Sequence, residues 1–366
     1  MELLKPDYYD EFTCIADKCT ISCCREWKIN IDDETYRNWK TIQPPSEVPG
    51  HRSCLQAYTM KKDGSRIMKM TEEHDCPFLA KNRLCYLVSA YGDSMLSETC
   101  QIFPREIHEF QDHKEATMMP CCPAVLDIWK EKKRIAFPET PKEKEQPLFL
   151  VRRKVMDLIM DPEKTPEETL LESFYVLKEL HRNTPLTTEL VEDYFSEKTI
   201  HQLERAISEI DLPVLDTMDE CNELLQDLAV NYWKEGLYRK YLEPVTELAE
   251  ELSEEYEEEK MTEAWEDFYR ELRAYENLLR SFLTNEVYSD LLTSEGDLEY
   301  ATIRQAVFLR WQKEGRGALP YETLRDYMVV ISRMTGYEEE DIREYLENSF
   351  EELLWEWGYF ALITGK

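Results

Sequence analysis

The sequence predicts a mainly α fold: a small cysteine-rich metal-binding N-terminal domain with short strands and helices, followed by an all-α helical body. Three observations carry that expectation. Ten of the 11 cysteines lie at or before position 122. Charge divides at the same place, since residues 1–122 hold 15 basic and 20 acidic side chains while the remainder holds 29 and 56. From Leu148 onward, apolar residues recur at three- and four-residue spacing between Pro and Gly breakers, as amphipathic helices require.

In the head, 33–42 (DETYRNWKTI) has an acidic first turn and helical apolar spacing, which predicts a short helix. Asp63-Gly64 between two β-compatible runs predicts a hairpin over 58–70. Helices are expected over 86–97 and 123–134, and His108 and His113 flank a turn as ordinary surface residues. The charged, proline-containing run 131–147 predicts a linker between a domain 1–130 and a domain 148–366. The body's helices are expected over 148–160, 166–182, 186–195, 198–210, 219–241, 244–259, 261–283, 298–313, 321–334, 338–346 and 349–363. The breakers between them are residues such as Pro166, Pro213, Pro244 and Pro320.

Composition narrows the function. A formal net charge of −32 repels phosphate backbones and anionic lipid surfaces, so neither nucleic acid nor a membrane is the expected partner, and a lysine-bearing protein is. The acidic run Glu254, Glu255, Glu257, Glu258 and Glu259 reads as a solvated helix face. The start MELLKPDYYDEFTC lacks a basic segment leading into an apolar one, and nowhere do 18 apolar residues run together, so a cytoplasmic location is expected. In a reducing compartment, clustered cysteines point to metal rather than to disulfides. Cys221, alone in the body, reads as a small core residue.

The spacing is C-x4-C-x3-C-C at Cys14, Cys19, Cys23 and Cys24, then Cys76 in C-P-F-L, Cys85, Cys100 in C-x2-F-P-R, and Cys121-Cys122-Pro123. No C-x2-C pair occurs, which disfavours tetrahedral zinc. Iron–sulfur clusters accept wider spacings and recur beside Cys-Pro steps such as Cys76-Pro77 and Cys122-Pro123. Arg25, Lys28 and Arg105 lie near enough in sequence to offset a cluster's charge. No glycine-rich strand-to-helix fingerprint, P-loop or H-E-x2-H motif is present, which excludes Rossmann-type methyl transfer, P-loop chemistry and zincin hydrolysis.

These motifs, together with Y-Y-x2-F-x-C at Tyr8 to Cys14, C-x3-C-C-x2-W at Cys19 to Trp27 and I-x-I-D at Ile29 to Asp32, resemble the flagellin lysine-N-methylase family. The head is also similar to shorter zinc- or iron-chelating proteins. The resemblance covers about residues 6–126 of the head and, more weakly, Tyr275 to Leu279 and Ile331 to Arg333 of the body. It implies a 4Fe-4S cluster, with zinc as the alternative, held by Cys14, Cys19, Cys23, Cys24, Cys76, Cys85, Cys100 and Cys122. It further implies methyl transfer from S-adenosylmethionine to lysine ε-amines of a protein such as flagellin. Tyr275, Glu276 and Asn277 are then the catalytic candidates, and Arg105 and Trp27 the cofactor-binding ones. Aromatic faces and acids suit both cations of such a reaction. The body offers Tyr232, Trp233, Tyr238, Tyr241, Trp265 and Tyr269 besides, each at a helical spacing that also suits a core. The competing expectation is a non-catalytic metal-binding scaffold, or a redox-sensing module using Cys23-Cys24 and Cys121-Cys122, that docks a basic protein.

Overall fold

Short elements build the first 130 residues of the chain, whose computed structural model describes residues 1–62, 64–254, 257–289, 295–335 and 356–365. Strand β1 (Glu2–Leu4) pairs in parallel with β5 (His113–Met118), which pairs antiparallel with β4 (Arg105–Glu109), giving the order β1-β5-β4. Strands β2 (Thr59–Lys62) and β3 (Ser65–Met68) form the expected hairpin, with Asp63 itself outside the described residues. Helices α1 (Asp33–Asn38), α2 (Tyr86–Tyr91) and α4 (Pro123–Glu131) lie within the expected 33–42, 86–97 and 123–134, but α2 stops short at Gly92, in the left-handed region at φ 84°, and α3 (Glu98–Ile102) was not expected. Asp32 caps α1 and Ser97 caps α3 by accepting backbone N–H groups.

The body is helical, as expected: α5 (Pro147–Ile159), α6 (Pro166–Arg182), α7 (Thr188–Tyr194), α8 (Glu197–Ser208), α9 (Val214–Glu235), α10 (Arg239–Glu254), α11 (Glu258–Leu272), α12 (Glu276–Ser289), α13 (Glu295–Lys313), α14 (Tyr321–Thr335) and α15 (Trp357–Thr364). Pro147 and Pro166 open their helices at positions where no N–H is needed. Three boundaries differ from the periodicity. The run 219–241 breaks at Gly236, in the left-handed region at φ 79°, and α10 then runs through Pro244. The run 261–283 is divided by a single 3-10 turn at Arg273–Tyr275. The helix expected over 338–346, and the first part of that over 349–363, lie outside the described residues. No helix among the described residues is long and apolar enough to cross a membrane.

Packing does not follow the expected boundary at 130. A small core of Trp27, Ile29, Trp39, Leu55, Phe78 and their neighbours stays within the head. The large core gathers Tyr8, Phe12, Ile21, Met118 and Trp129 with side chains from every helix of the body up to Ile363. The run 131–147 is likewise fastened down. Ile135 and Thr140 are buried, the Asp7 carboxylate accepts from the Ala136 N–H, and Arg153 pairs with Glu143. His113 is buried rather than at the surface, because β5 is the central strand of its sheet and its ring hydrogen-bonds Asp112 and Glu115.

Candidate functional site

The eight expected cysteine ligands fall into two neighbourhoods. Cys23 and Cys24 share a thiol hydrogen bond that pulls Cys24 down to about 7 and pushes Cys23 up. The charge of Cys24 is felt at Cys76, Cys85 and Cys100, and burial raises all three thiols, Cys100 to about 11. The Cys76 N–H donates to the Cys24 carbonyl at 2.8 Å, and Leu79 and Cys85 form a β-bridge, which brings these loops side by side. Cys14, Cys19 and Cys122 form the second neighbourhood, with Cys19 and Cys122 raised by burial, the latter to about 12. Cys122 is the residue preceding the first turn of α4. All eleven cysteines are free thiols. Among the described residues, no three His, Cys, Asp or Glu side chains stand close enough together to hold a bare metal ion.

Two of the three cations expected to serve this centre, Arg25 and Arg105, take other posts. Arg25 pairs with Asp75 at 2.9 Å. Arg105 lies over the rings of Phe12 and Tyr9, 5.0 and 5.6 Å from their centroids. The guanidinium among the thiols belongs to Arg333 of α14, which is 2 % exposed and stands 5.2 Å from the Trp27 ring. Trp27 is buried edge-to-face against Phe103. Ile331 to Arg333 stood out in the sequence, yet nothing local signalled that Arg333 would reach residues 21–24.

In the body, Tyr275 donates its hydroxyl to the Leu319 carbonyl, Asn277 is exposed, and Glu276 pairs with Arg280. Only Glu276 of the three lines the cavity, of about 450 Å³, that opens among α6, α9, α11, α12 and α13. Trp265 and Tyr269 line it too, with ring centroids 5.3 Å apart. Tyr232 and Tyr238 are instead tied to the Met334 and Glu26 carbonyls, Tyr241 packs on Tyr327, and Trp233 is 44 % exposed. Two lining residues, Glu167 and Tyr300, escaped the sequence reasoning. Buried Glu167, in the first turn of α6, accepts from the hydroxyls of Tyr300, at 2.5 Å, and Tyr269. Arg304 donates to Tyr269 from behind, at 3.0 Å, so the carboxylate is held in place by a chain of donors. In the sequence, Glu167 is one of two acids in an ordinary helix start. An apolar cavity with aromatic walls and a fixed carboxylate has the chemistry to receive an amine or another organic cation.

Residues 152–363, more than half of the chain, match the FliB lysine N-methylase C-terminal domain. A lysine-N-methylase of Salmonella choleraesuis (strain SC-B67) is 27 % identical over 164 residues, covering 42 % of this chain and 40 % of the relative. The lysine-N-methylase of Salmonella typhimurium (strain LT2) matches with the same identity and coverage. The flagellar biosynthetic protein FliU of Salmonella muenchen is 25 % identical over 132 residues, 33 % of this chain and 72 % of the relative. The match thus spans 40 % of the length of both lysine-N-methylases. No solved structure matches the chain.

Proposed function

Because the chain belongs to the FliB lysine N-methylase family, we propose that it transfers a methyl group from S-adenosylmethionine to lysine ε-amines of a protein substrate, flagellin being the first to test. The family match over residues 152–363 is the observation that carries the proposal, since it takes in the walls of the cavity from Glu167 to Tyr300. In such a transfer the amine lone pair forms the N–C bond while the C–S bond breaks, its electrons passing to sulfur. The ammonium must first lose a proton, because lysine's ordinary pKa is about 10.4. Glu167 is placed to take it at a carboxylate oxygen, and Trp265 and Tyr269 supply cation-binding faces.

The donor set of the head is thiols throughout, which fits iron or zinc. A cluster suits its breadth better than a single ion, because ligands bind different corners of a larger body. Up to four of Cys23, Cys24, Cys76, Cys85 and Cys100 would hold it, with Cys14, Cys19 and Cys122 forming the neighbourhood beside them. Bound there, a 4Fe-4S cluster supplies one-electron redox chemistry and a Lewis-acidic iron.

Anaerobically purified protein, incubated with radiolabelled S-adenosylmethionine and flagellin, should label lysine. Absence of label with iron intact overturns the assignment, and metal without S-adenosylmethionine affinity favours the scaffold. Glu167→Gln should lower kcat/KM by roughly 10²-fold, the usual range for a lost general base, with Tm within a few degrees of the parent. An unchanged kcat/KM removes Glu167 from the mechanism.

A further inference from the structure

We infer that Arg333 is the positioning residue of the thiol centre, a body-borne guanidinium that fixes two cysteine-bearing loops and supplies their compensating charge. Its Nη2 donates to the Ile21 carbonyl at 2.9 Å, its Nη1 to Ser22 at 3.2 Å, and its Nε to Cys121 at 3.1 Å. The loop before Cys23-Cys24 and the one ending at Cys121-Cys122 are therefore held by one rigid fork, from more than 200 residues away in sequence. A lysine cannot span three carbonyls in this way. Among the described residues its hydrogen-bond partners are these neutral carbonyls, and burying a full charge in that way is costly unless something anionic lies near. The candidates nearby are the thiols themselves. Cys19, Cys23, Cys24, Cys121 and Cys122, drawn from both neighbourhoods, all feel the positive charge of Arg333. An anionic cluster bound on these two loops would supply a counter-charge. The loop is held from a second side by Tyr238, whose N–H donates to Glu26 Oε1 at 2.7 Å and whose hydroxyl donates to the Glu26 carbonyl at 2.5 Å.

The charge-compensating half of the inference rests on the metal reading above, and the clamping half stands without it, so the test separates them. In the full-length protein, Arg333→Gln removes fork and charge, whereas Arg333→Lys keeps the charge and loses the fork. With iron bound, the glutamine variant should show a more negative cluster reduction potential and the lysine variant one near the parent's. In both variants of the metal-free protein, Cys23, Cys24 and Cys121 should react with iodoacetamide about ten-fold faster, as located by mass spectrometry, with the helical circular dichroism retained. A potential that moves equally in both variants overturns the charge role. Unchanged alkylation in both overturns the clamp. Should the parent hold no iron, the metal reading fails, and the alkylation pattern alone decides for or against Arg333. If the glutamine variant does not fold, the alkylation of the lysine variant decides.

Discussion

Burial and ion pairing pull against each other at Glu172, on α6. Its side chain is 1 % exposed and both carboxylate oxygens accept from Lys164 Nζ at 2.8 Å. Lys164, also paired with Glu204, is disfavoured by burial but raised overall by its two carboxylates. Glu172 is nevertheless pushed up to about 7 from an ordinary 4.5, burial being the largest cause. The two partners disagree on how well the pair is satisfied, and the near-complete burial of Glu172 decides for it. A carboxyl whose folded pKa is raised contributes stability below its unfolded pKa and loses it as pH rises through the folded one. The parent should therefore lose stability between pH 4.5 and 7, on the order of 2 kcal/mol from this group. Glu172→Gln should flatten that slope in thermal melts taken at pH 5, 6, 7 and 8. Parallel slopes in parent and variant would remove Glu172 as the cause.

Among the elements, the corner between α9 and α10 links the body to the cysteine loop. Gly236 ends α9 at φ 79°, its N–H bonding the Trp233 carbonyl, and Leu237 bonds back to Tyr232. Two residues on, Tyr238 reaches Glu26. Gly236→Ala should cost about 1 kcal/mol, since a Cβ is disfavoured in that conformation even though it would meet only ordinary contacts, His74 Nε2 at 3.6 Å and Arg239 Nε at 3.9 Å. Urea midpoints check this, and a shift smaller than the experimental scatter would mean that the corner relaxes. Tyr238→Phe should cost a similar amount through the unmet Glu26 carbonyl. The helices were legible where Pro166 and Pro320 mark the starts of α6 and α14 through backbone chemistry that acts locally, whereas the stop at Gly236 inside the run 219–241 was not. Strands β1, β4 and β5 were not legible, because β1 pairs with residues more than 100 positions away and β5 buries Glu115 and His113, the latter read as surface. The division of 261–283 escaped because Arg273, Ala274 and Tyr275 suit a helix as well as a tighter turn. The cysteines were legible as a set, yet their two neighbourhoods arise from loop packing, and their cation comes from α14. The role of Glu167 depends on Tyr269 and Tyr300, which only tertiary packing brings to it.

For the whole molecule, the question is whether head and body are one cooperative unit, and the Glu115–Arg152 pair, which joins them, is where to test it. Glu115 sits on the central strand of the head's sheet and Arg152 on the first helix of the body, both 1 % exposed. The guanidinium spans the carboxylate at 2.6 and 2.7 Å and also donates to Thr140 and to the Tyr288 carbonyl. Burial raises the Glu115 carboxyl, but the bonds and charge of Arg152 outweigh it and hold the pKa below the ordinary carboxylate range. Removing one partner leaves an uncompensated buried charge, whereas removing both leaves none. Arg152→Met should therefore cost about 3–5 kcal/mol, and the double variant Glu115→Leu with Arg152→Met should recover a large part of that. The shared core from Tyr8 to Ile363 implies that the loss is felt at both ends of the molecule. Urea unfolding followed by far-ultraviolet circular dichroism, which reports the helical body, and by alkylation of Cys76, which reports the head, should give one midpoint that shifts equally in each variant. Separate midpoints would show that head and body unfold independently, and an Arg152→Met variant no weaker than the double would show that the stranded carboxylate finds water or a proton at little cost.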